Sequence, residues 1–398
     1  MVSAADTLAR PLDRPLNVGI IGTGVISGIY MQNMALFPGL RLRGCADIRP
    51  DAAAAQAGKH GTEAMTIDAL LASPDVDLVV NLTVPNAHFA VSHAALTAGK
   101  HVFSEKPLCV KVEDGRRLVA EAEARGLRLG CAPDTFLGAG GRLARQMVDA
   151  GRVGRIVAGS AVLMSRGMEH WHPDPAFFFK PGGGPILDIG PYYIGALVNL
   201  LGPIARVQEQ ASIGLAERVV SAPGPRNGDR ITVETPTTVM ALLQFAAGAQ
   251  VTLAMSWDVH KHGHPAIELY GTEGSLRVPD PNFFGGSVEF TEGAGEWQAA
   301  DAAGMAFGRP NWRFPAWPAS RPDQANYRCL GLAELARAIG HGTPHRSSGR
   351  LALHVLEAMY AILSAAETGT AKEVGTPIER PPALTEVEAA LLGAEVRV

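Results

Sequence analysis

The chain reads as two folds in series: a doubly wound α/β half, then an α+β half with a largely antiparallel sheet. Three observations predict this. From Leu16 to Cys131 short apolar runs alternate with helical patterns, the signature of a parallel sheet covered by helices. From Ile204 to Val278 extended, β-rich stretches follow one another without helices between them, as antiparallel sheets do. A length of 398 residues is more than one small core holds, which suggests two domains.

In the first half, Leu16–Ile21, Leu40–Ala46, Leu78–Leu82, His101–Ser104 and Leu127–Gly130 are the expected strands. Asp68–Leu71, Ala87–Ala98 and Val112–Arg125 are the expected helices, with Gly99 and Gly126 as C-terminal caps because glycine enters the left-handed region cheaply. After Gly138 the rhythm changes. Arg142–Ala150 reads as a helix, Ile156–Met164 as a long strand, and Tyr193–Leu201 as a further helix. Thr237–Phe245, Gln250–Trp257 and Ala266–Tyr270 read as strands. Asn282–Arg321, rich in Gly, Pro and aromatics, is expected to form long surface loops, and helices near Asn326–Ile339 and Leu351–Glu367 close the chain. The expected domains are a flexible N-terminus over 1–14, a dinucleotide-binding domain over 15–135, and an α+β domain for substrate and oligomer contacts over 136–398. Its closing helices are free to pack back on the first domain.

Composition excludes several classes. Hydrophobic residues make up 47% of the chain, so it is globular rather than disordered. A formal charge of −4 offers no basic footprint for nucleic acid. Four scattered cysteines, Cys45, Cys109, Cys131 and Cys329, lack the paired spacing of a zinc site or disulfide framework and fit thiols in a reducing compartment. Leu16–Ile21 runs straight into a glycine turn, so it reads as a buried strand rather than a signal peptide. No apolar run reaches the roughly 18 residues of a membrane span, which makes the cytoplasm the default location.

Chemistry enters at Gly22-Thr23-Gly24, which follows a buried strand and opens a helix, the context a dinucleotide-binding Rossmann fingerprint requires. Gly22 permits the tight turn and Gly24 lets the backbone approach a pyrophosphate. The helix starting near Val25 and Ile26 turns its free N–H groups and positive dipole end to the phosphates. Ser27 stands where a third glycine or alanine is usual. Asp47 ends the second strand, where a carboxylate bonds the adenosine ribose hydroxyls and favours NAD. Arg49, two residues on, is able to pair with a 2′-phosphate and leaves NADP open.

Further motifs follow in order: Thr83-Val84-Pro85-Asn86-x-His88, Glu105-Lys106-Pro107, Gly184-x-x-x-Asp188-x-Gly190 and Ile267-Glu268-Leu269-Tyr270-Gly271-Thr272-Glu273-Gly274-Ser275. With Gly22-x-Gly24 and Asp47, this ordered set resembles the glucose–fructose oxidoreductase / inositol dehydrogenase / MocA-type (Gfo/Idh/MocA) oxidoreductase family over nearly the whole chain. The resemblance implies an N-terminal Rossmann domain and an open-faced C-terminal sheet. It also implies cofactor contacts from Thr83, Pro85, Asn86, His88, Glu105 and Lys106.

Lys106 is then implied at the nicotinamide end, contacting the reacting hydroxyl. There a preorganised ammonium in a dry site favours proton loss. Pro107 fixes the strand-end geometry, with a cis bond open to it. Asp188 and Tyr192, four apart, share a face if the segment is helical. Many family members carry histidine at the second position; this chain has Tyr192, as do relatives resembling glucose–fructose oxidoreductase and dihydrodiol dehydrogenases. A phenol titrates near 10, so acid/base work near neutral pH needs the Lys106 charge. Asp188 orients the pair or the substrate, and adjacent Tyr193 is the alternative assignment.

Gly182-Gly183-Gly184 reads as a loop closely approaching nicotinamide or sugar, or as a flexible connector. Asp134 and Thr135, after the last Rossmann strand, and His172 and Lys180, before the glycines, are substrate-binding candidates. His88 reads as a loop support and His354 as a packed histidine. Strand alternation puts His260, His262 and His264 on one face, but no carboxylate or cysteine joins them, so no metal is expected.

The leading expectation is an NAD-dependent dehydrogenase that moves a hydride between a secondary hydroxyl of a sugar, sugar derivative or cyclic polyol and nicotinamide C4. The alternative is a redox-assisted glycosidase or lyase with transient sugar oxidation, which the same residues would serve. A non-catalytic dinucleotide sensor ranks below both, since Lys106 and the acid/base position are occupied. The resemblance further implies a homodimer or homotetramer through the C-terminal sheet.

Overall fold

The computed structural model describes residues 12, 14–313 and 322–393. Contacts divide the chain into two compact units. One holds the described residues up to Gly138 together with Tyr327–Leu356 and those from Leu384; the other holds Ala139–Asn326 and Glu357–Ala383. The segments from Tyr327 and from Leu384, which the sequence groups with the second half, belong to the first unit.

The first unit is a six-stranded parallel sheet built from β1 (Leu16–Ile21), β2 (Leu40–Ala46), β3 (Glu63–Ala64), β4 (Leu78–Asn81), β5 (His101–Ser104) and β6 (Leu129–Cys131). Its order is β3-β2-β1-β4-β5-β6, the doubly wound Rossmann arrangement. Apart from the exposed β3 and the outer part of β2, the strands are short buried runs because both faces carry helices: α1 (Ser27–Met34), α2 (Pro50–His60), α3 (Ile67–Ala72), α4 (His88–Thr97) and α5 (Val112–Ala124). Gly99 and Gly126 end the last two at φ +75° and +65°, as their residue type anticipates. Helix α2 was not expected: its alanine-rich sequence has no strong apolar stripe and buries only Ala53 and Ala57.

The second unit begins with α6 (Ala139–Asp149) and β7 (Ile156–Met164), followed by α7 (Pro185–Leu201). Strands β8 (Ile204–Ser212), β9 (Glu217–Val219), β10 (Arg230–Thr232), β11 (Thr238–Phe245), β12 (Gln250–Ser256), β13 (Ile267–Gly271), β14 (Ser275–Val278), β15 (Ser287–Phe290) and β16 (Gln298–Asp301) follow. Helices α8 (Leu330–His341) and α9 (Gly349–Thr368), strand β17 (Lys372–Glu373) and α10 (Glu386–Ala390) complete the described chain. The large sheet runs β16-β15-β14-β13-β7-β12-β11-β8-β17; only β7 and β12 are parallel neighbours.

Three expectations change here. Helix α7 starts at Pro185 rather than Tyr193 and runs through Pro191. Proline suits the first helical position, and near-complete burial of the helix offsets the hydrogen bond lost at Pro191. The 282–321 region is not all loop: β15 and β16 extend the sheet, because Val288 and Phe290 alternate inward on β15; residues 314–321 of it lie outside the described residues. Helix α9 is long and apolar enough to cross a membrane, which the sequence hides by interrupting the run with Arg350, Glu357 and Glu367; 56% of its apolar window is buried inside the protein. The expected flexible stretch 1–14 lies outside the described residues except for Leu12 and Arg14; Arg14 forms a two-pronged pair with Asp77 at 2.7 and 2.8 Å.

Candidate active site

The nucleotide turn is shaped by close backbone packing. Gly22 sits at φ +98°, and a Cβ there would lie 2.6 Å from the Leu82 carbonyl carbon, so only glycine fits. Gly24 has nothing within 4 Å of its Cβ direction. It faces open space at the start of α1, where Val25 is exposed and no side chain caps the helix. Ser27, in the third-glycine position, is buried and donates to the Gly24 carbonyl at 2.7 Å. That leaves an uncapped helix N-terminus beside open space, a fit for a pyrophosphate.

Asp47 completes the cradle. Its Oδ2 accepts from the Thr23 N–H at 2.8 Å and the Thr23 hydroxyl at 3.0 Å, and its Oδ1 from the Arg49 N–H at 2.9 Å. Burial pushes this carboxyl up, but those bonds and the Arg49 charge outweigh it and hold it below the ordinary aspartate value. An ionised acceptor with lone pairs to spare suits ribose hydroxyls. Arg49 is exposed, its Nε 3.7 Å from Asp47.

At the far strand ends, Thr83 donates to Asn81 at 2.6 Å, while Pro85 and Asn86 stand exposed in a short 3₁₀ turn. His88 is buried with Nδ1 2.7 Å from the Pro107 carbonyl oxygen and Nε2 3.0 Å from that of Thr83. A neutral imidazole donates only one of these bonds. Burial pulls its pKa down, and the two carbonyls oppose that. The ring thereby ties the β4 loop to the β5 end.

Lys106 is half-buried two positions beyond the end of β5, and its bond to Pro107 is cis. Glu105 is buried rather than presented outward: Oε1 accepts from the Tyr30 hydroxyl at 2.8 Å and Oε2 from the Lys106 N–H at 2.9 Å. Its carboxylate therefore fixes the lysine's main chain. Tyr30 is fully buried on α1, and burial together with Glu105 and Asp134 pushes its pKa well above the ordinary phenol value.

Asp134 and Thr135, expected at the substrate, are both buried. The Asp134 carboxylate accepts the Gly331 N–H at 2.8 Å and so anchors the start of α8. Burial pushes it up to about 6, against the Gly331 N–H and the Arg328 charge.

In the second unit both Asp188 and Tyr192 lie on α7, where four residues apart means one face. Asp188 is half-buried and Tyr192 is 7% exposed. Neighbouring Tyr193 is 1% exposed and bonds Asp280; burial and that carboxylate push its pKa well above the ordinary phenol value. The triple glycine has an internal reason. Gly182 and Gly184 take φ +90° and +91°, and a Cβ on Gly183 would lie 2.4 Å from the Phe178 carbonyl oxygen.

His172 is half-buried among Trp171, Phe177 and Phe178, with ring centroids 5.2–5.5 Å away. Burial pulls its pKa down, opposed by Asp174 and Asp188. Lys180 pairs with Glu234 at 2.5 Å. His260, His262 and His264 are exposed and not in a strand, so the expected alternation does not occur; His262 and His264 stack with centroids 6.0 Å apart.

Residues 16–132 match the oxidoreductase family with an NAD-binding Rossmann fold, and residues 142–277 match the GFO/IDH/MocA C-terminal domain. An inositol 2-dehydrogenase from Saccharopolyspora erythraea is 38% identical over 273 residues, 67% of this chain and 74% of its own length. The chain belongs to the Gfo/Idh/MocA oxidoreductase family. A 1,5-anhydro-D-fructose reductase from Ensifer adhaerens is 28% identical over 366 residues, 90% of this chain and 98% of the reductase. Levoglucosan dehydrogenase solved with NADH superposes with a TM-score of 0.77 over 92% of this chain and all of the other, at 21% identity, a likeness of fold.

As in the rest of the Gfo/Idh/MocA family, the first unit is an NAD-binding domain. Sequence reasoning missed Tyr30 and Arg218. Tyr30 reaches Glu105 across 75 positions, and a tyrosine inside an apolar helix gives no local sign of such a partner. Arg218 looks like one more strand-edge charge, yet its side chain is 3% exposed.

Proposed function

We propose that this protein is an NAD-dependent dehydrogenase acting on a secondary hydroxyl of a sugar, sugar derivative or cyclic polyol. The observation that carries this reading is Lys106, its main chain pinned by the buried Glu105 carboxylate at a strand end of an NAD-binding sheet. A cation held there at no reorganisation cost lowers the energy of a developing alkoxide. Tyr192 takes the hydroxyl proton, and Asp188, one turn earlier on α7, orients it. When bound, the nicotinamide supplies the hydride acceptor. The names of the relatives, an inositol dehydrogenase, an anhydrofructose reductase and a levoglucosan dehydrogenase, support cyclic polyhydroxylated substrates.

The test is reduced-nicotinamide absorbance with NAD or NADP and a panel of aldoses, inositols and anhydrosugars. Turnover is expected with NAD, falling at least about a thousandfold in Lys106→Ala and about a hundredfold in Tyr192→Phe. Failure to form reduced cofactor with any member of the panel sinks the reading. Pairing of two copies through the large sheet belongs to the same proposal, supported by Met240, Leu242 and Tyr270, each more than a third exposed. A monomer at micromolar concentration in light scattering would remove that part.

A further inference from the structure

The second unit carries a small lobe outside its main sheet. Among the described residues strands β9 and β10 pair only with each other, and their inner side joins Met168, Phe179, Val220, Ile231 and Trp257 in one apolar cluster. Main-chain bonds lace this lobe to segment 166–184. The Ser221 and Ala222 N–H groups donate to the Glu169 carbonyl at 2.8 and 2.9 Å, and the Glu234 N–H donates to that of Phe179 at 2.8 Å.

One buried cation runs through the junction. Arg218 donates from one guanidinium nitrogen to the Arg166 carbonyl at 3.0 Å and to Glu169 Oε1 at 2.8 Å. From the other it donates to the Trp257 carbonyl at 3.1 Å and to Asp258 Oδ1. Its plane lies over the Phe179 ring, 5.3 Å from the centroid. Asp258 is fixed from its other oxygen by the hydroxyls of Thr237 and Thr238 at 2.8 and 2.5 Å. A rigid fork that donates in several directions at once suits this position, and lysine does not reproduce it.

What rides on the clamped segment makes it more than a structural knot. The His172 ring packs on Phe178, the Phe178 carbonyl accepts the Gly184 N–H at 2.8 Å, and the Gly184 carbonyl accepts the Asp188 N–H at 3.1 Å. A shift of the stretch from Glu169 to Phe179 therefore moves His172 and the first turn of α7 together.

We propose that Arg218 is a positioning residue for substrate recognition, holding segment 166–179 to the end of β12 and so setting His172 and Asp188 for the sugar or polyol. This rests on the function proposed above. Arg218 itself is buried among protein groups and acts through that segment.

The experiment uses the full-length protein with Arg218→Met, Arg218→Lys and Glu169→Gln. The readouts are KM and kcat on the best panel substrate, NADH affinity by fluorescence, and hydrogen exchange of peptides covering 166–184. In Arg218→Met, KM should rise about tenfold or more, kcat should fall by less, about three- to tenfold, because Asp188 moves with the segment, and NADH affinity should stay within about twofold. Amides of 166–184 should exchange faster while β11 and β12 keep their protection. Arg218→Lys should fall between, and Glu169→Gln should show the same pattern more weakly, carrying the test if Arg218→Met does not fold. An unchanged KM, or a parallel loss of kcat, KM and protection across the whole second unit, overturns the proposal. If the wild-type protein turns over no sugar or polyol, the functional reading fails on its own, and with it the part of this proposal that concerns recognition; unchanged exchange in 166–184 would then overturn the clamp itself.

Discussion

The candidate residues of the two units are held in different ways. In the first unit they lean on main chain: Asp47 on the Thr23 and Arg49 N–H groups, His88 on the Thr83 and Pro107 carbonyls, Glu105 on the Lys106 N–H. In the second unit Lys180 and the segment that carries His172 lean on ion pairs between side chains far apart in sequence, 54 positions for Lys180–Glu234 and 49 for Arg218–Glu169. Main-chain partners are supplied by any sequence that makes the right turn, so they tolerate drift nearby and depend on glycine where the turn is tight. Side-chain partners fail when either member changes.

The contrast is sharpest at Gly22. Gly22→Ala forces a Cβ into the Leu82 carbonyl at a positive φ, so strain of about 1–2 kcal/mol adds to a backbone clash. NADH affinity should fall about a hundredfold and the melting temperature by several degrees. Gly24→Ala, which meets nothing within 4 Å, should leave the melting temperature alone. Equal thermal losses in fluorescence-monitored melts of the two variants would break the distinction.

A second test concerns Asp134, whose carboxylate rests on the Gly331 N–H. Its pKa is raised in the folded state, to about 6, so folding favours the protonated form. Its contribution is therefore fullest below the unfolded aspartate value near 4 and is lost as pH rises through 6, on the order of 3 kcal/mol. Asp134→Asn keeps an acceptor for Gly331 and should flatten that part of the stability–pH curve, read by urea unfolding between pH 4 and 8. Parallel curves for the two proteins would refute the assignment.

The smallest effect is expected at Tyr30, whose hydroxyl is the side-chain partner of Glu105 in the first unit. Tyr30→Phe leaves a buried Glu105 oxygen without its 2.8 Å bond. A drop in kcat of about tenfold with NADH affinity kept within about twofold is expected. An unchanged kcat would mean that the Lys106 N–H bond alone holds Glu105 in place.

The same division explains what the sequence made visible. Strands β1, β2, β5 and β7 have the expected limits because buried apolar runs end at turn residues. Gly22, Asp47 and Lys106 could be singled out because their roles follow from local spacing and a strand end. Helix α7 was half missed, since Gly190 and Pro191 argue locally against a helix that burial alone sustains. The buried side of Asp134, the Tyr30–Glu105 bond and the Arg218 clamp depend on partners 197, 75 and 39 or more positions away, a distance no local pattern encodes.

The division of the chain also has a consequence for how it is made. The first unit closes only when Tyr327–Leu356 arrives: the Cys131 N–H donates to the Ser347 carbonyl at 3.0 Å, and Gly130 bridges Ser348 at the sheet's outer strand. At the usual pace of synthesis those residues follow β6 by about 10–40 s. Throughout that interval the nascent Rossmann sheet carries an open edge at β6, a natural place for a chaperone to act. For the same reason, a gene truncated after Gly138 would yield an aggregating fragment rather than a free-standing NAD-binding domain.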